Sequence, residues 1–328
     1  MLRFKRAVPA AALALGLAAS AAFAQKNEEV RAKEVVYEKP NECIIIASNT
    51  PVRAFVMLKD AVWYATEEIL VSQPLKSKTH QVYRTIGNIA STGITGVAVD
   101  QQGSIWVSCE AGVAVRNGNT FTSYTEADGI PGGKATAVAV GTGGEVWVGT
   151  ENGLARFRGG SWTKFDDKSG LPSNKVQALA VNSKGDIYIG TNKGLSVYDG
   201  SKFQNYNAKN SGANGLEWNN VRVISKEPNS DVMWMTDGPK NVNTFDGKTW
   251  KRFMEIQDGI NSIMNDTRRT WFGSEAGLLR FNGEDWVSDP NMLGVPAAQV
   301  YAMQVDSNGN LCFGMEKGVL IVTNPYRK

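Results

Sequence analysis

The side chains of this chain that could do chemistry are few and scattered. Among 328 residues there is one histidine, His80. It stands in a His80-x-x-Tyr83 motif where other copies of the same segment read aromatic-x-x-aromatic, so it takes the place of a scaffold ring. A Ser-His-Asp site would have to recruit this one imidazole. Asp128 and the pair Asp166-Asp167 could offer oxygens to calcium, yet they lack the alternating ligands of a dedicated loop. Cys43, Cys109 and Cys312 match no zinc spacing. An odd number of cysteines in an oxidising compartment leaves at least one thiol free or intermolecular. The expectation is no catalytic residue, no metal and no cofactor.

Recognition chemistry is better represented. The segment 207–220 is rich in Asn and Gly and carries Trp218. Loops on a rigid scaffold are where binding residues concentrate, so Trp218 is a binding candidate, with packing against its own blade as the structural alternative. Arg53 and Arg222 offer planar, bidentate recognition of carboxylates. They belong to a set of equivalent positions: Arg53, Thr95, Thr136, Gln177, Arg222, Ser262 and Tyr301. Each is read as the second residue of a first strand, so together they should circle one mouth of a ring. The circle holds two cations and no acid. It predicts an anionic or sugar-acid ligand there, against the alternative of ordinary strand ends in a solvated channel.

The elements that must position these residues are set by a period. Trp63, Trp106, Trp147, Tyr188, Trp234 and Trp271 recur at steps of 43, 41, 41, 46 and 37 residues, and 41 more lead to Cys312. Spacing of this kind marks a repeat architecture. Copies three and four align closely: Ala135 to Val140, then Val146 to Thr150, beside Val176 to Val181, then Ile187 to Thr191. Each continues through Gly-Leu and a short apolar run to an aromatic-x-x-aromatic strand, Trp162 to Phe165 and Phe203 to Tyr206. Between third and fourth strands lie Asn117-Gly118, Asp199-Gly200, Asp246-Gly247 and Asn282-Gly283, pairs that suit a type I′ hairpin. Asn308-Gly309 makes the same signal between a first and a second strand.

Four antiparallel strands per unit, repeated radially, predict an all-β chain folded as a seven-bladed β-propeller. Blades begin near 52, 94, 135, 176, 221, 261 and 300. The last copy has room for three strands, so the segment 33–47 is expected to supply its fourth and close the ring. Val35-Val36-Tyr37 and Cys43-Ile44-Ile45-Ile46 are the two candidates for that strand. The aromatic column should fill the wedges between blades. At Cys312, where the column lacks a ring, compensation is expected from Phe313 or from the N-terminal strand.

The repeated text resembles the two-component regulator propeller repeat. The resemblance rests on Gly170-Leu171-Pro172-Ser173-Asn174-x-Val176, Gly185-x-Ile187-Tyr188-Ile189-Gly190-Thr191 and Gly194-Leu195-x-Val197-Tyr198-Asp199-Gly200. It implies the propeller fold and a sensory role, since such repeats often form the periplasmic half of hybrid histidine kinases.

The N-terminus predicts export. Arg3, Lys5 and Arg6 precede an apolar run, and Ala22-Phe23-Ala24 offers small residues for cleavage. Residues 1–24 are read as a signal peptide and 25–328 as one propeller, periplasmic or secreted. Losing these three basic groups takes the formal charge from +3 to zero. No dense Lys/Arg run remains, which excludes the electrostatic footprint of a nucleic-acid binder. No later run approaches the ~18 apolar residues of a membrane helix. The expected function is recognition of an envelope or extracellular partner protein, or of a saccharide-like ligand, through the face of the inter-blade loops. The rivals are a lyase or hydrolase with its site at the channel mouth and a structural component of a surface assembly.

Overall fold

The computed structural model describes residues 29–31, 34–37, 43–77, 79–238, 241–253, 259–288, 292–323 and 325. The chain forms a seven-bladed β-propeller. Each blade is an antiparallel sheet, and in blades 2 to 6 the strands follow in sequence order from the axis outward. The blades span 54–83, 96–124, 135–165, 176–206, 221–252, 260–288 and 300–322. Among the described residues helix is confined to three short 3-10 turns. The proposed signal peptide and its cleavage point lie outside the described residues.

The ring closes as the incomplete last copy requires. Cys43–Ala47 pairs antiparallel with Gly318–Val322 and becomes the fourth strand of blade 7. Of the two candidates it is the apolar stretch that closes the blade, because this position is half-buried against blade 1. Glu34–Tyr37 then adds a fifth strand outside it, Val35 opposite Ile45. A second N-terminal strand, Glu29–Arg31, pairs with the outer strand Thr79–Tyr83 of blade 1. The two ends of the ring are therefore tied by main-chain hydrogen bonds rather than by side-chain packing alone.

The core is divided among the seams. Seven buried clusters of described residues lie one at each junction between neighbouring blades. Trp63, Trp106, Trp147, Tyr188, Trp234 and Trp271 are all buried and reach across these junctions. Trp106 of blade 2 packs on Phe157 and Trp162 of blade 3, with ring centroids 5.3 and 6.3 Å away. Two residues after the column a small residue is needed: a Cβ at Gly190 would lie 2.6 Å from the backbone oxygen of Val221 in the next blade.

The turns at Asn117-Gly118, Asp199-Gly200, Asp246-Gly247 and Asn282-Gly283 are not type I′ turns centred on these pairs. Among the described residues Leu293 is the only non-glycine with positive φ, so Asn117, Asp199, Asp246 and Asn282 do not adopt that conformation. Gly118, Gly200, Gly247 and Gly283 carry it instead. In three of these turns the preceding side chain does a different job. Asp199 Oδ1 accepts from the amides of Ser201 and Lys202, Asp246 Oδ1 from Lys248 and Thr249, and Asn282 Oδ1 from Glu284 and Asp285. A loop longer than two residues leaves amides pointing inward, and the Asx side chain satisfies them.

Candidate functional site

Inter-blade connections and the turns between second and third strands share one face, as hydrogen bonds between them show. Gly93 N donates to Glu67 O at 2.7 Å and Glu151 N to Lys134 O at 3.1 Å. The other turns share the opposite face, where Gln101 Nε2 donates to Thr142 O and Ser183 N to Asp231 Oδ1.

On the first face the mouth residues occupy one equivalent position, and the position has a cause. In blades 3 to 7 the first strand is bulged at its start. Register jumps over Thr136, Gln177, Arg222, Asn261 and Tyr301. The extra residue has no cross-strand partner, and Thr136, Asn261 and Tyr301 turn their side chains toward the next blade. Blade 6 corrects the sequence reading: the bulged residue is Asn261, not Ser262, because the strand begins at Ile260. Ser262 is paired with Gly273, and its hydroxyl is buried without a hydrogen-bond partner.

Three members of the circle stitch blades together. Thr95 Oγ1 donates to Ala135 O at 2.7 Å, Thr136 Oγ1 to Val176 O at 2.8 Å and Asn261 Nδ2 to Val300 O at 3.3 Å. Gln177 has a buried Oε1 with no partner. Arg53 lies over the Tyr301 ring at 5.3 Å and meets the Glu67 carboxylate at 3.9 Å. The mouth is therefore not free of acid, since the second-to-third turn of blade 1 brings Glu67 beside Arg53. Arg222 is exposed on the far side of the ring.

The most developed feature of this face is the platform under Trp218. At 57% exposure it is the one exposed large apolar side chain among the described residues. Its loop is held from below at three points. Leu216 is buried in the seam between blades 4 and 5. Asp237, with no exposed surface, accepts from the amides of Glu217 at 2.5 Å and Trp218 at 2.8 Å. Arg252 donates two hydrogen bonds to Gly215 O. Glu217 in turn accepts from Asn241 Nδ2 at 2.9 Å and pairs with Arg252 at 3.4 Å. The Trp218 ring lies across Gly238, where a Cβ would come within 2.9 Å of its Cγ.

Sequence reasoning found Trp218 but missed Asp237. The signal was present. Thr150, Thr191 and Ser274 hold the equivalent strand-end position in blades 3, 4 and 6, where their hydroxyls bond to the following third strand. An acid in that column is the break in pattern that marks the platform.

The remaining chemical candidates resolve into scaffold. Asp128 and Asp166 cap the short helical turns that begin the connections after blades 2 and 3. Hydrogen bonds from the Ser169 hydroxyl and amide hold the Asp166 carboxyl below the usual range. Cys109 and Cys312 are free thiols, fully buried and pushed up in pKa by that burial. His80 is buried in the outer strand of blade 1 with Nδ1 unpartnered, and burial lowers its pKa from 6.5.

That shift has a sign. Below pH 6.5 the unfolded chain binds a proton on His80 that the folded chain resists, so stability falls as pH drops through the folded pKa. His80→Phe, which places a ring at this aromatic register position, should flatten that part of the profile. Urea midpoints at pH 7 and 5.5 test it, and an equal drop in both proteins would refute the assignment.

Comparison with known proteins adds the following. Residues 170–193 match the model of the two component regulator propeller. No curated protein matches the sequence. The extracellular domain of a hybrid two component system from B. thetaiotaomicron superposes with a TM-score of 0.70 at 21% identity, over 84% of this chain and 40% of that one. That of a one component system from the same organism gives 0.68 at 17% identity, over 89% and 40%. Virginiamycin B lyase from Staphylococcus aureus gives 0.68 at 13% identity, over 89% and 99%. The chain thus spans about two fifths of the length of the first two, and likeness at these identities is likeness of fold. What the sequence and the comparisons establish together is a seven-bladed ring in which residues 170–193 match the two component regulator propeller, in a fold shared with the extracellular domains of a hybrid two component system and a one component system.

Proposed function

We propose that this chain is an exported, non-enzymatic recognition module, and that it takes a partner protein or a saccharide-like ligand on the inter-blade-loop face. The observation that supports this reading is the Trp218 platform. A large apolar ring kept 57% exposed loses hydrophobic stabilisation that burial would supply. Here it is also fixed in place by a buried carboxylate, an arginine and a buried leucine. A ring pre-positioned in this way gives contact area at low entropic cost, which is what an interface anchor needs. Arg53 with Tyr301, and Arg222 farther round, are secondary contacts toward an anionic group.

The lyase alternative meets a specific obstacle. A histidine-to-alanine variant of the virginiamycin B lyase is described as catalytically inactive. The one histidine of this chain is in an outer strand, remote from the axis that the first strands line. Export accords with the extracellular relatives, and no helix among the described residues is long and apolar enough to cross a membrane.

The test is a paired binding screen of the full chain and Trp218→Ala against envelope proteins and a glycan array. Every ligand of the unsubstituted chain should lose about thirtyfold or more in affinity, the scale of an interface hot spot. Stability should stay within about 0.5 kcal/mol, as for other surface substitutions. Equal affinities in the two proteins would sink the reading.

A further inference from the structure

The seam between blades 7 and 1 is built unlike the seam between blades 2 and 3. There Trp106 meets Tyr124 of its own blade and Phe157 and Trp162 of the next. Carrying the register round the ring, Cys312 stands for Trp106 and Ile46 for Tyr124. Gln73, opposite Val62, stands for Phe157. Continuing the Leu70–Tyr83, Val71–Val82 and Ser72–Gln81 pairs by one puts His80 in the place of Trp162. The whole aromatic filling is missing from this seam. Part of the space is recovered by Phe55 and Tyr64 of blade 1 and by Ile44 and Ile46 of the closing strand, which pack around Cys312. Phe313 faces the other way, into the seam with blade 6, so it supplies none of the expected compensation.

Beside this filling is a cavity of about 220 Å³, open on the face opposite the inter-blade loops and lined by Gln73, Ile46 and Asp306, the counterparts of the groups that surround Trp106. Ile44, Ile46, Met57 and Ile321 wall it, and Gln73 and Asp306 give it polar groups. Asp306 repeats a device seen elsewhere. Asp100 accepts the amides of Gln102 and Ser104 on Oδ1 and the Trp106 Nε1 on Oδ2 at 2.9 Å. Asp266 likewise accepts the Trp271 Nε1 at 2.6 Å. Asp306 accepts the amides of Asn308 and Asn310 on Oδ1, but no indole reaches Oδ2, which takes Asn310 Nδ2 at 2.8 Å. Gln73 is 4% exposed, and its Nε2 is fixed by Pro74 O and Ser77 O. That fixes Oε1 as a buried acceptor with no partner.

We propose that this cavity binds a planar aromatic heterocycle bearing an N–H donor, an indole or similar ring, in the place a tryptophan side chain holds in five of the other six seams. An apolar cavity of about 150 Å³ already accommodates benzene, so this one has room for two fused rings. A buried acceptor left unmade is costly, and a donor on the ring relieves it. The apolar walls take the ring faces, and Gln73 Oε1 or Asp306 Oδ2 takes the N–H. The site is separate from the Trp218 face and does not depend on the function proposed for that face.

The experiment is calorimetric titration of the full chain with indole, and with naphthalene as the same shape without a donor. Saturable one-to-one indole binding is expected, at least tenfold tighter than naphthalene. Cys312→Trp should fill the cavity with the chain's own indole and abolish binding. Gln73→Leu should fold and bring the indole and naphthalene affinities together, so it decides the matter alone if the first variant does not fold. No saturable indole binding, undiminished binding in folded Cys312→Trp, or an undiminished preference for indole in Gln73→Leu would each overturn the proposal.

Discussion

Trp106→Ala is expected to destabilise the chain by about 3–5 kcal/mol, the range for deleting a large buried aromatic. Trp106 is 3% exposed and touches three rings from two blades. Truncation leaves a void lined by Val113, Val146 and Val148, strand residues with little freedom to collapse into it. It also removes the Nε1 donor from Asp100, although Asp100 keeps its two turn amides. The ring magnifies the consequence. Blades 7 and 1 are joined by main-chain pairing, so no free end can absorb a loosened seam. At about 2–4 °C per kcal/mol the melting temperature should fall by roughly 6–20 °C. Cys312→Ala, at the equivalent position, removes one sulfur and should cost about 1 kcal/mol. Calorimetry of the two variants tests the claim that the column packs blades, and equal losses would contradict it.

The parts of this fold legible in the sequence are those where side-chain type repeats. The column from Trp63 to Trp271 announced the period because each seam asks for a ring at the same place. Closure was legible from arithmetic, since a last copy with three strands needs a fourth from elsewhere. Backbone detail was less visible. A bulge adds a residue without changing the apolar-polar rhythm, so Ile260-Asn261-Ser262 admits two registers and Ser262 was read where Asn261 stands. Asn-Gly and Asp-Gly pairs signal a turn, but whether the first residue adopts positive φ depends on loop length. The site was legible only in its exception. Trp218 stood out because it belongs to no column, whereas Asp237, Gln73 and His80 sit in register and are exceptional only by type. Recognising Gln73 and His80 as a missing aromatic pair requires knowing that Cys312 faces them across a seam, which is a fact of tertiary structure.

Asp237→Ala should cost about 2–4 kcal/mol and release the Trp218 platform at the same time. The carboxylate has no exposed surface and holds three donors: the amides of Glu217 and Trp218 and, at 2.6 Å, Asn243 Nδ2. Asn243 is itself fully buried, so alanine strands a side-chain amide inside blade 5 as well as freeing the loop. Charge-assisted bonds of this kind are worth more than neutral ones, and each buried donor left unmade costs on the order of 1–3 kcal/mol. The Arg252–Glu217 pair cannot compensate, because it is partly exposed and such pairs contribute little. The two halves of the prediction separate by measurement. Trp218→Ala should weaken partner binding by about thirtyfold or more with stability intact, whereas Asp237→Ala should weaken binding although the indole is still present. Amide exchange at 217 and 218 should accelerate in Asp237→Ala, and unfolding in urea should begin earlier. Unchanged protection of those two amides would mean that Leu216 and Arg252 hold the loop by themselves, and that the buried carboxylate serves blade 5 through Asn243 rather than the platform.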